Sequence, residues 1–315
     1  MDLYVQKAQN ALAQMNRVIL GKEKETREVL LALLANGHVL LEDIPGVGKT
    51  TLAMAVSKVL QLDFKRVQFT PDVMPADLTG FSLYKKEADR FVYQEGSVFC
   101  NLFLADEINR ASAKTQSALL EVMEERKVSV EGVTRPVPEP FLVIATQNPY
   151  GSAGTHPLPE AQIDRFMIVL TMGYPAFAEE LLLAKSMSLP VQEIEPVASK
   201  EELLCMQKQV QDIFVQDEVY RYLVELVTAT RTHPSIALGA SPRATLALVR
   251  MAKAAAWLEG RTFVIPSDVA EQFFYVVSHR VTLNPSARME GLEKRQILQS
   301  ILEQVKKPPV GKGGV

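Results

Sequence analysis

The sequence predicts a mixed α/β chain, with a five-stranded parallel sheet wrapped by helices followed by a part built of helices alone. Three observations lead there. Five short runs are rich in apolar, β-branched or aromatic residues, and the segments between them carry apolar residues at helical spacing. The character of the chain then changes after MGYP (172–175), beyond which strand-like runs are few. The 315 residues, 47% apolar and 23% charged, suffice for two domains with a sizeable core.

The runs are HVLLED (38–43), KRVQFT (65–70), LFLAD (102–106), FLVIAT (141–146) and RFMIVL (165–170). Several are apolar throughout, as buried parallel strands are. TTLAMAVSKVL (50–60) and SAKTQSALLEVMEER (112–126) supply connecting helices. Two insertions interrupt the alternation. DLTGFSLYKKEADRFVYQEG (77–96) reads as helix-breaking residues and then a hairpin pairing FSLY with FVYQ; KVSVEGVTRPVP (127–138) reads as a second hairpin turning at Glu131-Gly132, with Pro136 and Pro138 blunting its edge. In the helical part, VYRYLVELVTATR (219–231) and SPRATLALVRMAKAAAWLEG (241–260) are amphipathic. The latter opens with Ser241 as cap and Pro242 at the first helical position, and closes at Gly260.

The chemistry concentrates in LEDIPGVGKTTLAM (41–54). Gly46 and Gly48 let the backbone aim its N–H groups at an anion, and the helix beginning near Lys49 adds its positive end. Lys49 reaches outer phosphates, and the Thr50 hydroxyl suits magnesium. The candidate loop is Pro45, Gly46, Val47, Gly48, Lys49, Thr50 and Thr51. The pattern's usual first glycine falls where this chain has Asp43, so the loop alone also fits a tight strand-to-helix turn. LFLADEINR (102–110) delivers Asp106 and Glu107 to the C-terminal end of a buried strand, where open α/β sheets bind ligands. Asp106 suits the metal or its waters, and Glu107 suits orienting and deprotonating an attacking water. FLVIATQNP places Gln147 and Asn148 at another strand end, where an amide can hold both a water and a terminal phosphate; a turn opening at Asn148-Pro149 fits those residues equally well.

With LEDIPGVGKTTLA, LFLADEINRA, VIATQNP, LPEAQIDRF and GASPRA in that order across nearly the whole chain, the sequence resembles the AAA+ ATPases and, within them, the MoxR family. The resemblance implies a P-loop AAA+ core over residues 1–173 and a helical lid over 176–306; the Pro/Gly-rich residues 307–315 read as an unpacked tail. It implies a homo-oligomeric ring, usually a hexamer, with ATP and Mg2+ at the subunit boundaries. Lys49 and Thr50 then match the phosphate-loop pair, Asp106 and Glu107 the magnesium-site and water-activating acids, and Asn148 the first sensor. Arg165 matches an arginine finger and Arg243 the second sensor. Residues 18–30 resemble the adenine-side approach, and the hairpins resemble this clade's helix-2 insert and pre-sensor-1 hairpin. The residues alone also allow Arg165 to be a surface ion-pair former. Arg243, near a helix N-terminus, opposes the macrodipole and calls for an anion, of which phosphate is one. Arg110 receives no role, and His233 and His279 read as surface or packing residues of the lid.

The function implied is magnesium-dependent ATP hydrolysis driving chaperone-like remodelling or maturation of partner proteins, with a von Willebrand factor A domain protein as partner. Two rivals stand beside it. A nucleotide-switched binding module with slow hydrolysis could dispense with either Glu107 or Arg165, and this chain has both. A nucleic-acid motor fits poorly with a net charge of -3 and no aromatic-basic stripe. The N-terminus has no apolar run of signal-peptide length, and the uncharged stretch 166–178 is too short to span a bilayer. Two distant cysteines and four scattered histidines offer no metal-ligand spacing, and a reducing cytoplasm is the expected compartment.

Overall fold

The computed structural model describes residues 2–44, 46–148, 156–186 and 194–309. Helix α1 (Leu3–Val18) starts at Asp2, whose carboxylate accepts the Tyr4 N–H, and α2 (Glu23–Leu34) follows. Then come β1 (Val39–Glu42), α3 (Lys49–Val59), β2 (Phe64–Gln68) and an insert of α4 (Pro75–Thr79) with strands β3 (Phe81–Lys85) and β4 (Arg90–Gln94). Next are β5 (Leu102–Asp106), α5 (Ala113–Glu125), a second hairpin of β6 (Lys127–Val130) and β7 (Val133–Pro136), β8 (Leu142–Gln147), α6 (Glu160–Ile163) and β9 (Ile168–Leu170).

Five of these strands form one parallel sheet, as the sequence predicts, with the order β2-β5-β8-β1-β9. Side-chain alternation explains their unbroken apolarity. Leu102 and Leu104 join a core with the apolar faces of α1, α2 and α3, whereas Phe103 and Ala105 join another under α5. Both hairpins form where expected: β3–β4 pairs Phe81 with Gln94 through Lys85 with Arg90, and β6–β7 turns at Glu131 and Gly132. The hairpins touch, with Ser82 Oγ donating to Glu131 Oε2 at 2.6 Å.

One local expectation changes. Asp77, Leu78 and Thr79 close helix α4 rather than breaking a helix, because Pro75 presets φ in its first turn and Asp77 Oδ2 accepts the Met74 N–H at 2.8 Å. Where the chain leaves and re-enters the core around this insert, the two arms press backbone to backbone. Ser97 N–H donates to Asp77 O at 3.0 Å, and a Cβ at Gly96 would lie 2.0 Å from Leu78 O.

The second part contains α7 (Phe177–Ser186), α8 (Lys200–Gln211), α9 (Asp217–Thr232), β10 (Ile236–Leu238), α10 (Pro242–Leu258), α11 (Pro266–Val277), β11 (Thr282–Leu283), α12 (Pro285–Met289) and α13 (Lys294–Gln304). Among its described residues it is helical apart from the two-stranded antiparallel ladder β10–β11 and a single bridge between Phe214 and Phe263, so the expectation of helices alone is corrected. Ser241 caps α10 by accepting the Arg243 N–H at 3.2 Å, with Pro242 next to it. Residues 307–309 carry no regular element, and 310–315 lie outside the described residues.

Polar contacts seat these helices on the sheet layer. Arg280, 8% exposed, donates from Nε to Asp164 Oδ1 at 2.6 Å and from its Nη atoms to the carbonyls of Asp164, Phe166, Met167 and Val276. At the C-terminal end of α2, Arg250 and Arg126 both donate to the Asn36 carbonyl, at 2.7 and 3.3 Å, where the helix dipole favours cations. Burial, with Arg250 alongside, pushes Arg126 down to about 10. Glu28 of α2 accepts from Gln272 of α11 at 3.3 Å and from Arg27 at 3.2 Å, and burial pushes its carboxyl up to about 7.

Two outcomes follow from this packing. Gly96→Ala forces a Cβ against backbone, which costs about 1–3 kcal/mol of overpacking; a thermal melt unchanged from the parent's would show that the arms part freely. The folded Glu28 carboxyl titrates above its unfolded value of 4.5, so the stability tied to its protonated form is complete below pH 4.5 and lost as pH rises through 7. Glu28→Gln, which imitates the protonated form, should therefore match the parent near pH 4.5 and exceed it at pH 8 by about 3 kcal/mol in denaturant unfolding. Equal stability at pH 8 would contradict the assignment.

Candidate active site

The strand order sets the site. Because β8 lies between β5 and β1, the loop after β1, the acidic pair ending β5 and Asn148 after β8 all emerge side by side at the C-terminal edge of three adjacent strands. Gly46 and Gly48 take φ of 87° and 88°, a conformation glycine adopts without strain, and Gly48 caps α3. A Cβ on either would meet nothing within 4 Å, so the space over the loop is open. Lys49, Thr50 and Thr51 form the first turn of α3, whose N–H groups lack helical acceptors. Val47 packs against the core beneath, and Pro45 lies outside the described residues.

Lys49 Nζ donates to the carbonyls of Asp43 and Ile44 at 2.8 and 3.1 Å. Burial lowers its pKa, while the charges of Asp43, Asp106 and Glu107 oppose that shift. Asp43, the departure from the usual glycine, is a buried anchor: Oδ1 accepts the Ile44 N–H at 2.8 Å and Oδ2 the Gly173 N–H at 2.6 Å. It ties the loop's entry to the segment that leads to α7.

The acids are held by a residue the sequence reading passed over. Thr146 Oγ1 of β8 donates to Asp106 Oδ1 at 2.7 Å and accepts the Glu107 N–H at 2.8 Å. Glu107 sits in the left-handed region at φ 55°, which turns the chain sharply off the strand. Each carboxylate also carries an arginine, with Arg66 on Asp106 at 2.7 Å and Arg110 on Glu107 at 2.9 Å. Asn148 follows Gln147 at the end of β8, and its carbonyl accepts from Asn109 Nδ2 at 3.1 Å; Gln147 itself donates to Glu42. Thr50 and Asp106 thus offer hydroxyl and carboxylate oxygens beside an anion cradle, the donor set of a hard divalent cation.

The other two candidates lie elsewhere. Arg165 precedes β9, whose first residue pairs with Val39 at the start of β1, so Arg165 belongs to the opposite rim of the sheet from the loop. Four residues of parallel strand separate the rims by roughly 13 Å. Arg243 stands beside it, because Glu124 at the end of α5 accepts from Arg243 Nη2 at 2.6 Å and pairs with Arg165 Nη2 at 3.3 Å. Asp164 lies 3.9 Å from Arg243 Nη1 and accepts from Ser241 Oγ at 3.0 Å. Arg165, Arg243, Arg250 and Arg280 with Glu124 and Asp164 line a cavity of about 210 Å³ between the two parts. His279 is a packing residue next to Arg280: desolvation, then that guanidinium, holds its imidazole well below the ordinary pKa. His233 ends α9, accepting the Ser235 N–H at 3.2 Å.

Comparison with known proteins identifies the family of the chain. Residues 38–168 match the model of the ATPase family associated with various cellular activities (AAA), and residues 228–301 match the AAA lid domain. The chain is 48% identical over 300 residues to Uncharacterized protein YeaC of Bacillus subtilis, covering 95% of this chain and 94% of that one. It is 40% identical over 311 residues to Chaperone MoxR1 of Mycobacterium tuberculosis, covering 96% and 82%. The crystal structure of a putative ATPase from Cytophaga hutchinsonii superimposes with a TM-score of 0.90 at 37% identity, over 97% of this chain and 96% of that one. With a helical lid on an α/β core and relatives of this identity along nearly its whole length, the chain belongs to the MoxR family of AAA+ ATPases.

Proposed function

We propose that this ATPase works as a ring of identical subunits, in which each active site is completed by a neighbour, and that it spends Mg2+-dependent ATP hydrolysis on remodelling protein clients in the cytoplasm. The observation that carries this reading is the split of the candidate site. The phosphate loop, both acids and Asn148 share one rim of the sheet, whereas Arg165 and Arg243 share the other, paired through Glu124. A guanidinium that cannot reach its own loop is placed to serve the next subunit's. The hexameric count and a partner with a von Willebrand factor A domain belong to the same proposal and rest on the family resemblance.

The roles follow from chemistry. The N–H groups of Gly46 to Thr51 and the Lys49 ammonium would hold the phosphates, and Thr50 and Asp106 would hold the cation, which would supply neutralisation of phosphate charge. Glu107 orients a water and takes its proton; Thr146, bonded to the Glu107 N–H and Asp106 Oδ1, fixes both acids relative to the sheet. Asn148 aligns that water with the terminal phosphate. Arg165 and Arg243 of the adjacent subunit offset the charge that builds on the transferred group. The β3–β4 hairpin exposes apolar side chains on both faces, Phe91 (70%) beside Tyr84 on one and Leu83 (51%) and Phe81 (47%) on the other, which suits contact with polypeptide clients. Among the described residues, no helix is long and apolar enough to cross a membrane.

Steady-state ATP hydrolysis over a range of protein concentrations tests the reading. Specific activity should rise with concentration; Lys49→Ala should abolish it, and Arg165→Ala should lower turnover by about 10³. Mixing Arg165→Ala with Glu107→Gln should restore part of the turnover, since one subunit then supplies the base and its neighbour the arginine. Activity that is independent of concentration and survives Arg165→Ala would refute the shared site.

A further inference from the structure

The acid read here as the magnesium ligand is engaged by a strong donor on each oxygen. Asp106 Oδ1 is taken by the Thr146 hydroxyl within the sheet. Oδ2 is taken by Arg66, whose Nη2 and Nε donate to it at 2.7 and 3.2 Å. The two donors differ in what it takes to move them. Thr146 is fully buried and also accepts the Glu107 N–H, so it cannot leave without uncoupling the acids. Arg66 lies on β2, the edge strand next to β5, with its side chain 47% exposed against 10% for Asp106. It also donates from Nη2 to Gln68 Oε1, two residues along the same strand, at 3.3 Å. A half-exposed guanidinium exchanges its partner for water at little cost.

We propose that Arg66 is a displaceable counter-ion of Asp106, and that a divalent cation must take Oδ2 from it, so that Arg66 sets how much free Mg2+ the site requires. The proposal rests on Asp106 being the magnesium acid. A hard cation and a guanidinium compete for the same carboxylate oxygen, and their charges repel at that separation. The forked geometry makes Arg66 an effective competitor: two parallel N–H groups meet one oxygen, which a lysine in its place would meet with a single point charge. Arg110 stands in the same relation to Glu107, so the pair of acids is neutralised residue by residue rather than by a diffuse positive field.

The test is the binding of a fluorescent ADP analogue, which needs no turnover, measured in EDTA and across free Mg2+ for the parent, Arg66→Gln, Arg66→Lys and Asp106→Asn. Arg66→Gln should lower the half-saturating Mg2+ about three- to fivefold without raising affinity in EDTA. Arg66→Lys, which keeps the charge but loses the fork, should fall between Gln and parent. Added to Asp106→Asn, Arg66→Gln should produce no further change. A Mg2+ requirement that is unchanged or higher in Arg66→Gln overturns the proposal, as does loss of ADP binding in EDTA, which would make Arg66 a nucleotide ligand. If the parent's binding does not respond to Mg2+ in a way that Asp106→Asn removes, the reading of Asp106 as the metal acid fails first, and the two failures are thereby distinguished.

Discussion

The contact on which the rest of the assembly depends is the embrace of residues 164–167 by Arg280. One buried guanidinium donates to a carboxylate and four carbonyls, three of them within Asp164, Phe166 and Met167. Buried, an arginine is tolerated only when it is paired and its donors are satisfied, and here both conditions hold. The consequence reaches both arginines of the far rim. Asp164 is the residue next to Arg165, and its other carboxylate oxygen accepts from Ser241, the cap of the helix whose second residue is Arg243. A single acid therefore fixes the approach of a core arginine and a lid arginine together, and a shift of the lid carries the pair as a unit.

The near rim uses the same physics in the opposite sense. Its acids are poised rather than locked: a buried hydroxyl fixes the Asp106 carboxylate and the Glu107 backbone, and half-exposed arginines balance the charge of both carboxylates. Lys49 has its ammonium turned onto backbone carbonyls of its own loop entry. Each of these cations has a partner that is easily given up for a phosphate or for water, so the rim is arranged to exchange partners, whereas the Arg280 site is arranged to keep them.

Much of this was legible in the chain. The five strands, both hairpins and the Ser241-Pro242 helix start are local patterns, and periodicity or turn chemistry reports them directly. The loop and the acidic pair were legible because phosphate chemistry demands fixed residue types at fixed spacing. What stayed hidden depends on register between distant strands. Thr146 meets Asp106 only because β5 and β8 are neighbours with Ala105 opposite Ala145. Arg66 meets it only because β2 pairs with β5 so that Gln68 opposes Asp106. The signal for Arg66 was present as an arginine within a strand, but nothing in one sequence says which carboxylate it faces. Arg280 was hidden for the same reason, since its five acceptors lie on four residues that span 164 to 276. Short α4 was missed because a capping aspartate and a proline outweighed the weak helix propensity of Asp77 and Thr79.

The crossing at Gly96 has a consequence for how such a protein can change over evolutionary time. The two arms of the insert are fastened to each other by backbone groups at residues 77, 78, 97 and 98, below the hairpin and independent of its side chains. Residues 81–94 can then be lengthened, shortened or recoloured in charge while the seam beneath them, and the strands it feeds, stay as they are. The exposed appendage can thus be edited without disturbing the sheet, and the burden of invariance falls on the glycine in the seam beneath it.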